Sequence, residues 1–358
     1  MLSLTATNDD GVVVEVDGRP MQLSWTWLRD HARDSASFLA SAQQRLVTPT
    51  AVAAAGVGEA HVGPMGLEVS WSGGPATVFA PDLLQRLVEP GAAVRVGPEA
   101  EPWIGAEFAV RVPRLAHHDY MDGTDGLRTA LDHLWRHGVF ALTGVPADPA
   151  ATRAVLERIG YIRSTIFGDL WEFRSDGGFD DTASTPLEIT PHTDGTYSHD
   201  APGLLGLHCH WYDAHGGDNV FVDGHTVANR LSARTRAVLS TVDIVGQYIG
   251  DGSHLMAKRP VLRLEENRLV QVSYNHHDRA PFLLPEPQMS ELYAALFEFD
   301  SVANEPDVQL DLALRQGDMV IFDNWRLLHG RRAFSGDRVI AGGYVNREDV
   351  EATTRLTG

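Results

Sequence analysis

Residues 1 to about 95 alternate apolar and polar side chains in short runs, Val12–Val16 and Gly66–Ser70 among them, divided by glycine and proline as in GVGEAHVGPMG. A period of two belongs to strands that bury one face, so this stretch is expected to form a small β-rich domain. Leu83–Val88 has helical spacing, and Glu89-Pro90-Gly91 ends it. The Gly/Pro-rich residues that follow are expected to be a linker, 96–114. From 115 onward the period changes. Tyr120–His137 sets Leu127, Leu131, Leu134 and Trp135 at helical intervals, His137-Gly138 stops the run, and Val139–Leu142 reads as a buried strand. Asp148 is placed to cap a second helix ending near Ile159, with Pro149 at its first position. Beyond Ile162 strands and turns dominate, interrupted by helices near Thr226–Leu239 and Gln288–Asp300. Helices first and many short strands afterwards predict a mainly β fold with flanking helices: a jelly roll over 115–358, preceded by the small domain 1–95.

Composition narrows the field. The formal net charge of the 358 residues is −19, which repels nucleic acid and anionic membranes and favours cationic small molecules. No apolar run reaches the roughly 18–20 residues of a membrane span. The start, MLSLTATNDDGVVVEV, lacks a basic region followed by an apolar stretch and does not read as a signal peptide. Cys209 is the single cysteine, so neither an internal disulfide framework nor a multi-cysteine zinc site is available. A protein of the reducing cytoplasm is expected.

Candidate chemistry centres on Pro191-His192-Thr193-Asp194-Gly195-Thr196-Tyr197. Along a strand, side chains at i and i+2 share a face, so His192 and Asp194 can aim at one metal ion. With a histidine from a distant strand they make the two-histidine, one-carboxylate set that suits Fe(II) oxygenases. Three His-x-Asp tripeptides exist, at 117/119, 192/194 and 276/278, and context has to choose among them. That context is GDMVIFDNWRLLHGRRAFSGDRVIAGGY, where Met319–Phe322 reads as a buried strand leading to His329. Arg338 follows on what reads as the next strand, and its guanidinium suits two-point capture of a carboxylate. Arg347 is its rival.

These residues carry a resemblance. HTDGTY, GGDNVFVDG, YNHHDRA, FDNWRLLHGRRAF and GDRVIAGGYVNREDVEATTRL resemble the trimethyllysine dioxygenase and γ-butyrobetaine hydroxylase family of 2-oxoglutarate oxygenases. The resemblance covers residues from about 137 strongly and the N-terminal SWTWLRDHARD more faintly. It implies a double-stranded β-helix, Fe(II) held by His192, Asp194 and His329, and 2-oxoglutarate held by Arg338 and Asn219. O₂ is the oxidant, and a homodimer is expected. Phe167, Trp171, Asp181 and Ser184 match the stretch that surrounds a quaternary ammonium group in relatives, and Tyr197 and Asn275 are further candidates to line the substrate pocket.

Two departures from the family pattern matter. The residues after Trp27-Leu28-Arg29-Asp30 contain no cysteine where many relatives bind zinc, so no zinc is expected. Phe167 and Ser184 stand where tyrosines are usual, which weakens the cage while Asp181 keeps an acidic group. The function expected is hydroxylation of an unactivated C–H in a small cationic amino-acid-like or betaine-like molecule. Desaturation or cyclisation by the same iron chemistry is the alternative, and a non-catalytic jelly-roll binding protein is a third reading. Asp194 argues against halogenation, because a carboxylate ligand leaves no position for chloride. Of the adjacent His276 and His277, at most one is expected to face the pocket. Arg331 and Arg332 are expected in solvated or interface roles.

Overall fold

In the computed structural model the described residues are all except 54, 55, 57, 73, 89–95, 175–184, 251 and 358. The chain divides into two compact units, Met1–Arg95 and Val96–Gly358. The first unit holds two antiparallel three-stranded sheets, Leu2–Asn8, Gly11–Val16 and Arg19–Ser24 in one, Gly58–Gly63, Gly66–Trp71 and Gly74–Phe79 in the other. The alternation seen in the sequence is the cause: Val12, Val14 and Val16 turn inward to meet Leu67, Val69 and Phe79 in one apolar core. Ser24 caps the helix Trp25–Asp30 by accepting from the Trp27 amide. Just beyond that helix Asp34 is nearly buried, accepting from Thr77 Oγ1 (2.8 Å), Ser37 Oγ (3.0 Å) and the Ala36 amide (3.1 Å), with the Arg29 guanidinium 3.6 Å away. Burial alone would raise its pKa, but these hydrogen bonds and Arg29 offset that and hold it below the ordinary carboxylate value.

The second unit is built on two facing sheets. The larger has the order Ile162–Arg163, Phe334–Val345, Leu204–Gly216, Met319–Asp323, Val139–Thr143, Arg114–Ala116, with Leu170–Arg174 also pairing with Phe334–Val345. The smaller runs Ile189–His192, Leu327–Arg331, Asn219–Asp223, Gln309–Leu312. Between them lies a shared core in which Phe221, Leu310 and Leu327 meet Leu205, Val320, Phe322 and Ile340. This is the expected jelly roll. Helices Asp125–His137 and Pro149–Glu157 cover the outer face of the larger sheet through Leu131, Leu134, Val155 and Leu156. Asp148 caps the second of them as the sequence predicts, and Gly138 (φ 77°) ends the first in the left-handed conformation that glycine accepts without strain.

The stretch read as a linker differs from expectation. Trp103 is 4% exposed, donates its indole N–H to the His137 carbonyl and stacks on Phe108 of the short helix Gly105–Phe108. Its amide donates to the buried Asp223 carboxylate, which also receives the Arg326 guanidinium. Gly and Pro punctuation concealed a segment anchored by one large aromatic side chain. Among the described residues no helix is long and apolar enough to cross a membrane.

Candidate active site

His192 ends the strand Ile189–His192, and its register partner across the sheet is His329, on Leu327–Arg331. The two rings lie 4.4 Å apart between centroids. Asp194 sits between them, with Oδ1 3.4 Å from His192 Nε2 and Oδ2 3.6 Å from His329 Nε2. Among the described residues this is the one group of three or more such side chains whose ligand atoms all come within 4.8 Å of one another.

The strand stops at His192, so Asp194 is not aimed by strand periodicity. It lies in a bend held from two sides. The Asp194 amide donates to Asn324 Oδ1 (2.8 Å) while Asn324 Nδ2 donates to the carbonyls of Asp194 (3.1 Å) and Pro202 (2.9 Å). The Thr193 amide donates to the Tyr274 carbonyl (2.7 Å), and Thr193 Oγ1 accepts from the Tyr274 amide (2.9 Å). Gly195 then takes φ 74°, turning the chain sharply away.

The donor set fits a divalent cation. His192 Nδ1 meets the Thr190 carbonyl at 3.0 Å, which presents Nε2 to the cluster. Tyr344 donates its hydroxyl to Asp194 Oδ2 at 2.9 Å. Ligand atoms at right angles around one ion stand roughly 3 Å apart, close to the separations found. His329 Nδ1 is buried without a hydrogen-bond partner, and packing against the Phe322 ring (4.9 Å) fixes that imidazole instead. Burial would raise Asp194, yet the charges of His329 and His192 and the Tyr344 hydroxyl hold it far below the usual carboxylate range. Burial pushes the His329 imidazole down to about 4, which favours its neutral form. Burial also opposes a charge on His192, but Asp194 outweighs it and raises that imidazole, a sign that the carboxylate favours positive charge beside it.

These three side chains open into a cavity of about 150 Å³. Of the other residues singled out in the sequence, Arg338, Asn219, Phe167, Trp171, Tyr197 and Asn275 line it too. Asp181 and Ser184 lie outside the described residues. Arg338 is 7% exposed and donates to the Gly217 carbonyl at 2.6 Å; Gly217 takes φ 75°, a conformation that glycine adopts without strain. Arg347 does not line the cavity and pairs instead with Asp323 at 2.7 Å. His277 lines the cavity and His276 does not, as expected of adjacent residues.

Arg331, expected in a solvated or interface role, is not solvated. It is 8% exposed, lines the cavity, donates to the carbonyls of Thr185 and Leu187 (2.7 Å for the latter), and is pushed down to about 10 by burial and the nearby Arg338 charge. Tyr344 and Tyr248, which the sequence does not single out, line the cavity, as does Asp278 of the 276/278 tripeptide. Tyr344 was within reach of sequence reasoning. Arg338, Ile340 and Tyr344 differ by even numbers along one strand and therefore share a face. Gly342 continues that series, where a Cβ would lie 2.1 Å from the Trp171 ring.

Two facing sheets with a cation-ready triad and a buried guanidinium in one cavity define the class of Fe(II)- and 2-oxoglutarate-dependent oxygenases. The sequence matches the family described as "Taurine catabolism dioxygenase TauD, TfdA family" over residues 98–344, and the chain belongs to that family. It is similar to mitochondrial trimethyllysine dioxygenase of Mus musculus, 29% identical over 98% of this chain and 86% of the mouse protein. The corresponding protein of Gallus gallus is 30% identical over 94% of this chain and 84% of its own length. A solved asparagine oxygenase, bound to Fe(II), 3-hydroxyasparagine and succinate, superposes with a TM-score of 0.51 at 15% identity, covering 71% of this chain and 94% of that one, which bears on the fold. The protein is thus an oxidoreductase, a dioxygenase that uses Fe(II), 2-oxoglutarate and O₂ on a small molecule.

Proposed function

We propose that His192, Asp194 and His329 hold the Fe(II), that Arg338 and Asn219 receive the far carboxylate of 2-oxoglutarate, and that the enzyme hydroxylates an unactivated C–H of a small cationic amino-acid-like or betaine-like substrate. The observation that carries this reading is the opening of the triad and the buried Arg338 into one cavity. When bound, the iron supplies oxidation of a C–H bond by O₂ coupled to decarboxylation of 2-oxoglutarate to succinate and CO₂.

The chain's own contribution is positional. Asn324 and Tyr344 orient the Asp194 carboxylate, and Thr190 orients His192. Arg338 offers a planar fork to a carboxylate in a buried setting, where such a charge-assisted bond is strong. Phe167, Trp171 and Tyr344 supply apolar walls that exclude water. The relatives' names support an amino-acid substrate bearing positive charge. The weakened ring set, with Phe167 and Ser184 at expected tyrosine positions, favours a less methylated amine than trimethyllysine.

A homodimer in the cytoplasm completes the reading, the first supported by the family resemblance and the second by the single cysteine, Cys209. The test is a screen of lysine, its methylated forms and betaines with Fe(II) and 2-oxoglutarate, followed by mass spectrometry. One added oxygen atom in the product, with stoichiometric succinate, is the expected result. Loss of two hydrogens would replace hydroxylation by desaturation or cyclisation. Succinate formation that no cationic compound stimulates would overturn the substrate class.

A further inference from the structure

The polar groups of the cavity fall into two sets. Arg338 and Arg331 flank Phe334, their guanidinium carbons 5.1 and 4.9 Å from its ring centroid, and burial together with the Arg338 charge lowers the basicity of Arg331. Asp278 belongs to the second set. Its charge acts on His192, and it accepts from Asn275 Nδ2 at 2.8 Å and Thr196 Oγ1 at 3.5 Å, both bonds landing on Oδ2. Apart from Asp194 it is the one acidic side chain among the described residues lining the cavity.

Main-chain contacts fix its position. The hairpin of Ile244–Gly250 and Ser253–Arg259 lies along the 275–280 loop, with the Gln247 amide donating to the Asp278 carbonyl (2.7 Å) and the Ala280 amide to the Val245 carbonyl (2.9 Å). The same hairpin carries Tyr248, whose ring centroid is 5.2 Å from that of Tyr197 and 6.1 Å from that of Phe167. Gly246 makes the approach possible, since a Cβ there would stand 2.5 Å from the Thr196 carbonyl oxygen. Three separate stretches therefore bring one carboxylate and a pair of tyrosine rings together beside the turn that carries Asp194.

We propose that Asp278, with Tyr197 and Tyr248, forms the subsite that takes the protonated amine of the substrate, a group bearing N–H donors. This deepens the cationic-substrate reading and rests on it. A carboxylate held by amide and hydroxyl donors in a half-buried wall gains most from a cation that donates hydrogen bonds back to it. A quaternary ammonium has no N–H and retains only charge and ring-face attraction. The subsite accordingly prefers a primary or secondary amine to the quaternised form of the same molecule.

The test is anaerobic calorimetry on enzyme loaded with Fe(II) and 2-oxoglutarate, using lysine or whichever amine the screen selects, its N-acetylated form and its quaternised form. Wild type should bind the free amine most tightly. Asp278→Asn should weaken that binding by about 10- to 100-fold and lose the preference over the N-acetylated form. The affinity for 2-oxoglutarate, read in the same cell without amine, reports an intact fold. If wild type binds charged and neutral forms alike, the cationic-substrate reading fails and this assignment with it. If wild type discriminates and Asp278→Asn still binds the amine within threefold of wild type, the assignment alone is overturned. Asp278→Ser is the second variant; loss of 2-oxoglutarate binding in both would mark a structural residue and overturn the proposal as well.

Discussion

Replacing Asn324 by alanine tests how the site is assembled without touching a ligand. The amide side chain is 1% exposed and makes three hydrogen bonds, one accepted from the Asp194 amide and two donated to the Asp194 and Pro202 carbonyls. Each neutral bond contributes about 1 kcal/mol net, and a buried group left unpaired costs about 1–3 kcal/mol. The Asp194 N–H and the buried Pro202 carbonyl both lose their partner, so we expect a stability loss of about 3 kcal/mol. The more specific effect is on metal affinity. A residue that orients a ligand rather than binding the ion typically carries a 10- to 100-fold effect on affinity, so Fe(II) should bind Asn324→Ala more weakly by roughly that factor. Anaerobic Fe(II) titration of folded protein, below the melting transition, reads this directly. An unchanged dissociation constant together with the expected stability loss would show that the Asp194 bend is set by the Thr193–Tyr274 bonds alone, and the argument for Asn324 would be refuted.

Arg338→Ala should raise KM for 2-oxoglutarate roughly 10- to 100-fold, and Arg338→Lys should recover only part of this because the two-pronged fork is lost; steady-state succinate assays check both. Asp34→Asn should lower the stability of the folded chain by about 1–3 kcal/mol at pH 7, read by thermal unfolding. Because the folded pKa of Asp34 lies below its ordinary value, its contribution is present above about pH 4 and is lost as pH falls through the folded value, so the variant should show a flatter decline of Tm on acidification.

Chemistry and periodicity coincide along the strands that follow Met319–Asp323. His329 and Arg338 fall on successive strands that the apolar run Met319–Phe322 already announces, and the strand boundaries follow from the burial of one face. For Asp194 the strand periodicity in the sequence gives an incomplete account of its position. A strand argument aims it at the metal, but the chain leaves the strand at His192, and Asn324, far along the sequence, holds the bend. Such a contact joins residues 130 apart, and no local pattern records it. For Arg331 a charge following a motif reads as solvated, whereas here two main-chain carbonyls accept from it in a buried place. Trp103 shows the converse: turn-rich surroundings hid a side chain whose burial decides the path of its segment. Asp278 belongs to a His-x-Asp tripeptide set aside as a metal motif, and its importance lies in which hairpin packs over it.

Anaerobic Fe(II) binding by the wild type and by Asp194→Ala, with succinate production measured on the same preparations after admitting O₂, tests the account most directly. Wild type should bind one ferrous ion per chain and consume 2-oxoglutarate, while the variant should lose tight iron binding and form no succinate above background. An Asp194→Ala protein that retains wild-type turnover would mean that the iron lies elsewhere, and the whole reading of this cavity would fall.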